Sequence, residues 1–98
     1  MKSLEAKIKG STPTLVVFHH AGNQNAVDVK YLINELRAQY GDRVNIESVD
    51  ASYNGNIKVS YKLKEYPTWI LYKEGEELMR ESGHKTQAQL ADMIQRAL

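Results

Sequence analysis

The 98-residue chain contains no cysteine, and it has only two prolines, one tryptophan and one phenylalanine. Without a thiol it can form no disulfide, and it offers neither a thiolate nucleophile nor a cysteine ligand for a metal. Its sulfur atoms belong to Met1, Met79 and Met93, whose thioethers oxidise to sulfoxides but do not form disulfides. Because thiol-disulfide exchange requires a thiolate, the chain as written is excluded from that chemistry.

The chain has neither an excess of one sign of charge nor a long apolar run. Thirteen basic residues face 12 acidic ones, for a net charge of +1, so we expect neither nucleic acid nor an anionic membrane as a partner. The longest apolar runs hold about four residues, far below the roughly 20 that span a bilayer. The first residues, MKSLEAKIKGSTPT, lack the apolar core of a secretory signal, which makes a cytoplasmic location the expectation.

The length favours a single domain over residues 1–98, because a chain of this size supports one hydrophobic core. Apolar periodicity and turn residues divide the chain into eight elements. In order, they are a helix at 3–9, a strand at 14–18, a helix at 26–40, a strand at 44–49, a short helix at 57–63, strands at 68–72 and 77–82, and a helix after Thr86.

The helices are predicted from their apolar stripes and caps. In the long helix the stripe consists of Val29, Leu32, Ile33, Leu36 and Tyr40, and in the last helix of Leu90, Met93, Ile94 and Leu98.

Asn25 is the expected cap of the long helix, Asp28 a charge that favours its first turn, and Thr86 with Gln89 a capping box. In the short helix at 57–63, Val59 and Leu63 are four residues apart, so we expect both to face inward.

The order α-β-α-β-α-β-β-α predicts an α/β fold. A strand, a helix and a strand over residues 14–49 form a parallel unit, and the pair at 68–82 forms an antiparallel hairpin. A mixed four-stranded sheet between two layers of helices is therefore expected.

Four stretches of this sequence resemble the thioredoxin family, and together they cover nearly the whole chain from Pro13. They are TLVVFHHAGNQNAVDVKYLINELRAQYGDRV, VNIESVD, YKLKEYPTWILYKEGEEL and SGHKTQAQLADMI. The resemblance implies the thioredoxin-like three-layer α/β/α sandwich, with a β-α-β-α-β-β-α core and a short N-terminal helix in front. The family activity would be that of a protein-disulfide oxidoreductase.

The resemblance also shows what this chain lacks. The redox CxxC of the family falls on Asn23, Gln24, Asn25 and Ala26, and the usual tryptophan before it is Gly22. The family's buried strand aspartate, which helps to move protons to the thiols, is replaced by Val17. The sequence therefore predicts no catalytic residue and no cofactor, because three separate parts of the disulfide machinery are missing.

Pro67 is the family landmark that remains, and the resemblance implies a cis bond before it. In the family, backbone next to this proline pairs with an extended peptide. The groove implied here is lined by Gly22, Asn23, Tyr66, Pro67, Gly83 and His84. We therefore expect a protein or an extended peptide as the partner.

Other candidate sites have simpler interpretations. His19 and His20 are adjacent at the end of a strand, so they should point to opposite faces rather than share a metal, even if His84 lies nearby. Ser11 and Ser60 show no nucleophile motif. Trp69 suits either a partner contact or, as we expect, packing within the sheet.

Three functional classes follow from these observations. The first is a redox-inactive thioredoxin-like adaptor, holding factor or chaperone that uses the groove beside Pro67. The second is a thiol-disulfide oxidoreductase whose active-site cysteines have been replaced by substitution, and Ala26 would suit that history better than Asn23, Gly22 or Val17. The third is an interface domain that associates through an exposed edge strand.

Overall fold

The computed structural model describes residues 3–20, 26–52 and 55–98, and for residues 26–28 it describes the backbone only. The elements are α1 (Leu4–Lys9), β1 (Thr14–His19), α2 (Ala26–Tyr40), a 3-10 turn (Gly41–Arg43), β2 (Asn45–Asp50), α3 (Gly55–Ser60), β3 (Thr68–Lys73), β4 (Glu76–Ser82) and α4 (Gln87–Gln95). Their order confirms the predicted alternation. The expected cap Asn25 and the side chain of Asp28 lie outside the described residues.

The four strands form one mixed sheet in the order β2-β1-β3-β4. β1 and β2 are parallel, with Thr14 beside Asn45 and His19 beside Asp50. β3 is antiparallel to both β1 and β4. The connection from β1 to β2 through α2 accounts for the parallel pair, because parallel neighbours need a crossover, whereas β3 and β4 are joined by a tight hairpin.

The two central strands are buried on both faces, and this creates two apolar layers. Residues of β1 and β3 alternate between the layers, as the two-residue period of a strand requires. One layer packs against α2 and α4 and contains Leu15, Val17, Val29, Ile33, Leu36, Tyr40, Val44, Ile46, Trp69, Leu71, Leu90, Met93, Ile94 and Ala97. The other packs against α1 and α3 and contains Ile8, Val16, Phe18, Ala51, Leu63, Ile70 and Tyr72. The predicted three-layer α/β/α sandwich is confirmed.

The hairpin turn between β3 and β4 is fixed by its backbone and by α1. Glu74 and Gly75 both have positive φ values, 54° and 85°, which is the geometry of the two-residue turns that match strand twist. Their amides donate to the carbonyl oxygens of Gly10 and Ile8, both at 2.9 Å. The end of α1 therefore supplies the acceptors that hold this turn against the sheet.

The last helix begins as predicted but ends earlier. The Thr86 side chain accepts from the Gln89 amide, and the Gln89 side chain accepts from the Thr86 amide, which completes the capping box. The prediction that Leu98 belongs to the apolar stripe is wrong, because Leu98 lies beyond the helix and is 52% exposed. Ala97 is the buried residue at this end of the chain.

The short helix departs from its predicted register. It spans Gly55–Ser60, and Val59 is 77% exposed instead of facing inward. Leu63 is buried as expected, but the residue before it, Lys62, has a positive φ of 56° and is not helical. Because the chain leaves helical geometry before Leu63, the four-residue spacing no longer places Val59 and Leu63 on one face, and Ile57 makes the inward contact from α3.

Tyr72 gives the α1 and α3 layer a pH dependence. Burial, with a smaller contribution from Glu77, raises the pKa of Tyr72 from 10.0 to about 12. The unfolded chain therefore releases this proton at lower pH than the folded chain, so the stabilisation is present below about pH 10 and is lost as pH rises towards 12. After allowance for solvent screening, we expect an alkaline loss of about 1 to 2 kcal/mol.

This alkaline loss is tested by urea unfolding across that pH range. The free energy of unfolding of Tyr72→Phe is expected to fall by about 1 to 2 kcal/mol less than that of the native chain between about pH 10 and 12. Tyr31→Phe serves as the matched control, since Tyr31 is 67% exposed. An unchanged slope in Tyr72→Phe would contradict the assignment.

Candidate binding site beside Pro67

The segment before β3 places Tyr66 and Pro67 at one end of the sheet. The peptide bond between them is cis. Pro67 is buried and Tyr66 is half-buried, and Tyr66 packs against the apolar layer that contains Phe18. Thr68 begins β3 and donates its hydroxyl to the carbonyl oxygen of Glu65 at 2.5 Å, which closes the turn that carries both residues.

Gly83 continues the β3 and β4 ladder opposite Pro67. Its amide donates to the carbonyl oxygen of Pro67 at 2.9 Å, but Pro67 has no N–H to return a bond to the Gly83 carbonyl. The indole Nε1 of Trp69 donates to that carbonyl instead, at 3.2 Å. A positive φ of 86° at Gly83 favours glycine. The backbone of Gly83 is thus held by Pro67 and Trp69.

The expectation that Trp69 packs within the sheet is confirmed. Its side chain has no exposed surface with which to contact a partner. Trp69 is fully buried in the layer under α2 and α4 and lies opposite Val17 on β1. The position that holds the family's buried aspartate is therefore filled here by a valine against an indole. No carboxylate is present there to move a proton.

His20 is the residue that sequence reasoning did not assign to this site. Its ring centroid lies 5.4 Å from that of Tyr66, with the planes inclined by 48°. The signal was available, because the alternation of β1 that carries Val16 and Phe18 continues to His20 on the same face. His84 follows Gly83 and is exposed. We call His20, Tyr66, Pro67, Gly83 and His84 the Tyr66 surface.

The predicted groove residues are only partly described. The structure brings Tyr66, Pro67 and Gly83 together, and His84 extends this group. Gly22 and Asn23, which should line the facing side, lie outside the described residues, as do Gln24 and Asn25 of the degenerate motif. Ala26 is the first residue of α2.

His19 and His20 point to opposite faces of the sheet, as expected. Nε2 of His19 lies 2.9 Å from the Ser48 hydroxyl, on the face covered by α2, whereas His20 lies with Tyr66. Within residues 3–20, 26–52 and 55–98, no group of three or more histidine or acidic side chains is placed to hold a metal ion.

Ionisable groups near the strand ends are paired locally. Hydrogen bonds from the hydroxyl and amide of Ser52 lower the pKa of Asp50, with smaller contributions from the two histidines. A hydrogen bond from Arg80 lowers the pKa of Glu77, and the same bond raises the pKa of Arg80. These charges lie on strand ends and on β4, and none belongs to the Tyr66 surface.

Both outer strands carry features that disfavour pairing along their edges. Leu71 and Tyr72 of β3 pair with Met79 and Glu77 of β4, which leaves Leu78 as an extra residue in a bulge on β4. On β2 the Ile46 carbonyl accepts two bonds from the Arg37 guanidinium. Bulges and charged side chains at edges oppose strand-to-strand association. Among the described helices, none combines the length and apolar composition needed to cross a bilayer.

Comparison with known sequences gives one family. The family model described as Thioredoxin matches residues 27–96. The chain is 31% identical over 67 residues to thioredoxin Y1 from the chloroplast of Arabidopsis thaliana, a match that covers 68% of this chain and 39% of that relative. It is 25% identical over 87 residues to thioredoxin C-2 of Corynebacterium nephridii, covering 89% and 81%. The chain thus spans about two fifths of the length of the first of these relatives.

Solved structures share the fold. A malarial protein superposes with a TM-score of 0.80 at 24% identity, covering 89% of this chain and 98% of its own. A thioredoxin-2 described as a component of the malaria parasite protein secretion machinery superposes with a TM-score of 0.81 at 24% identity, covering 87% and 82%. At these identities the likeness concerns the arrangement of helices and strands.

Proposed function

Since the chain belongs to the thioredoxin family and contains no cysteine, we propose that it binds an extended segment of a partner protein at the Tyr66 surface. In this proposal it acts as an adaptor or chaperone and not as a disulfide oxidoreductase. The proposal depends on one observation above all: the Tyr66 and Pro67 segment lies hydrogen-bonded beside Gly83 in a chain that has no thiol.

Loss of the thiols removes the covalent step but leaves the means of non-covalent recognition. A mixed disulfide cannot form without a thiolate. Binding by an extended segment instead uses backbone hydrogen bonds and shallow side-chain contacts beside a strand end. The bonds from Gly83 to Pro67 and from Trp69 to Gly83 fix the backbone of this surface, which limits the entropy lost when a partner binds.

The chemistry of the surface predicts the kind of segment that fits. Tyr66 and His20 present two neighbouring rings, and the five residues of the surface include no carboxylate and no lysine or arginine. Rings of this type favour apolar or aromatic contacts. We expect selected partners to place an uncharged apolar or aromatic side chain against Tyr66. The thioredoxin-2 from a secretion machinery offers a precedent for a member of this fold within a protein assembly.

Tyr66→Ala is expected to weaken binding of a peptide selected from a displayed random library by tenfold or more, because tyrosines at the centre of an interface commonly contribute about 2 kcal/mol. The matched control is Tyr31→Ala. Tyr31 is exposed on α2, which covers the opposite face of the sheet. Dissociation constants measured by titration of each purified variant give the comparison.

Backbone amide shifts locate the peptide independently of the variants. We expect the largest changes at His20, Tyr66, Gly83 and His84, and no reduction of insulin disulfides by the same preparation. Shifts confined to α4, or equal binding by Tyr66→Ala and the native chain, would overturn the proposed surface. Insulin reduction above the buffer rate would separately overturn the redox-inactive part of the proposal.

A further inference from the structure

A second cleft lies between α2 and the outer edge of β2, on the face of the sheet opposite Tyr66. Its volume is about 300 Å³. Val29 and Ile33, both buried, form its apolar floor. Its polar rim consists of Lys30, Asn34 and Arg37 on α2, together with His19 on β1 and Ser48 on β2. The three α2 residues share one helix face, because they are spaced four and three residues apart.

The described residues of the rim carry positive charge without a compensating carboxylate. Lys30 and Arg37 line the cleft, and none of the described residues that line it is an aspartate or a glutamate. Within the described part of the chain the ion pairs lie elsewhere, and neither of these two cations takes part in one. Of the two acids on β2, Glu47 is paired with Lys7, and Asp50 accepts hydrogen bonds from Ser52.

Arg37 is held in place by the sheet. Its Nε and Nη2 donate to the Ile46 carbonyl at 3.1 and 2.7 Å. Because a guanidinium has five N–H donors, three remain, and two of them lie along the Nη1 and Nη2 edge. That edge can form two parallel bonds to a carboxylate, and anchoring of the side chain reduces the entropy that binding would cost.

Ser48 supplies a further donor through its contact with His19. Nδ1 of His19 is buried, and the structure gives it no hydrogen-bond partner. A buried N–H without a partner is rarer than an unpaired acceptor, so we assign the tautomer that carries its proton on Nε2. Nε2 then donates to the Ser48 oxygen. The Ser48 hydroxyl is left to donate its own hydrogen at the cleft.

We propose that this cleft binds a carboxylate that carries a short apolar group, such as the free C-terminus of a peptide ending in an aliphatic residue. Arg37 and Lys30 take the carboxylate, Ser48 and Asn34 donate to it, and the apolar group rests on Val29 and Ile33. An inorganic oxyanion would satisfy the cations but would leave the apolar floor uncovered, which is why the geometry favours a carboxylate with an apolar tail.

The test is a titration of the whole chain with three probes at constant ionic strength, followed by amide and side-chain NMR. N-acetylleucine is expected to give saturable shifts at Asn34, at Nε–H of Arg37 and at Ser48. N-acetylleucinamide, which lacks the charge, and inorganic phosphate, which lacks the apolar group, are expected to bind more weakly. Equal binding of the amide, tighter binding of phosphate or shifts that do not saturate would each overturn the proposal.

Charge reversal identifies the cation involved. Lys30→Glu is expected to weaken N-acetylleucine binding about tenfold, since attraction at the rim becomes repulsion. Lys58→Glu makes the same change on the exposed surface of α3, away from the cleft, and is expected to leave the affinity unchanged. Equal losses in both variants would indicate only general charge screening and would contradict the site.

Discussion

Replacing Trp69 with alanine is expected to lower the free energy of unfolding by about 3 to 5 kcal/mol, the range for truncating a large aromatic residue in a core. Trp69 is fully buried in the layer beneath α2 and α4, so the substitution leaves a cavity at the centre of the molecule. It also removes the indole N–H that bonds to Gly83. The total free energy of unfolding of such a domain is about 5 to 15 kcal/mol, so the substitution would remove a large part of its stability.

Trp69→Phe separates the hydrogen bond from most of the packing. Because Pro67 has no N–H to offer, this variant leaves the Gly83 carbonyl without its donor, and we expect a loss of about 1 to 3 kcal/mol. Far-UV circular dichroism in urea is the appropriate measurement, since Trp69 is the only tryptophan and tryptophan fluorescence is lost in these variants. A phenylalanine variant as stable as the native chain would show that the bond to Gly83 contributes nothing.

The link between Pro67, Gly83 and Trp69 illustrates what the sequence alone could not predict. That Pro67 lacks an N–H is evident from its identity. That Gly83 lies opposite it depends on the register of β3 and β4, and the bulge at Leu78 shifts that register within the hairpin. Local patterns do not contain such a shift, because bulges are set by pairing between strands that are separated in sequence.

The elements and the fold were predictable because several independent signals agree. β1 and β3 are unbroken apolar runs, which is typical of strands covered on both faces. α2 has a stripe whose core residues Val29, Ile33 and Leu36 are buried as predicted. α4 has a complete capping box. Consistency between local preference and tertiary burial is the condition under which sequence reasoning succeeds.

The candidate site was predictable only in part. Tyr66, Pro67 and Gly83 were named from the family resemblance, and the structure places them together at the end of β3 and β4. His20 was considered as a metal ligand, and its contact with Tyr66 follows from strand alternation once β1 is extended beyond Phe18. The cleft at Arg37 could not be predicted, because it depends on the angle at which α2 crosses the edge of β2.

The wrong register predicted for α3 leads to the second prediction with a large effect on stability. Leu63→Ala is expected to destabilise the fold by about 2 to 5 kcal/mol, since Leu63 is 3% exposed in the layer with Phe18 and Ile70. Val59→Ala is its matched control, and its expected change is within about 0.5 kcal/mol, because this side chain is 77% exposed.

Urea unfolding of these two variants distinguishes the two registers directly. In a continuous helix over 57–63, Val59 and Leu63 would share the inward face, and truncating either would open a cavity of similar size. In the observed arrangement the helix ends at Ser60, and the positive φ at Lys62 turns Leu63 inward by itself. A loss above 1 kcal/mol in Val59→Ala, accompanied by a comparable loss in Leu63→Ala, would support the continuous helix. A large difference between them means that the reversal at Lys62, and not helical periodicity, buries Leu63.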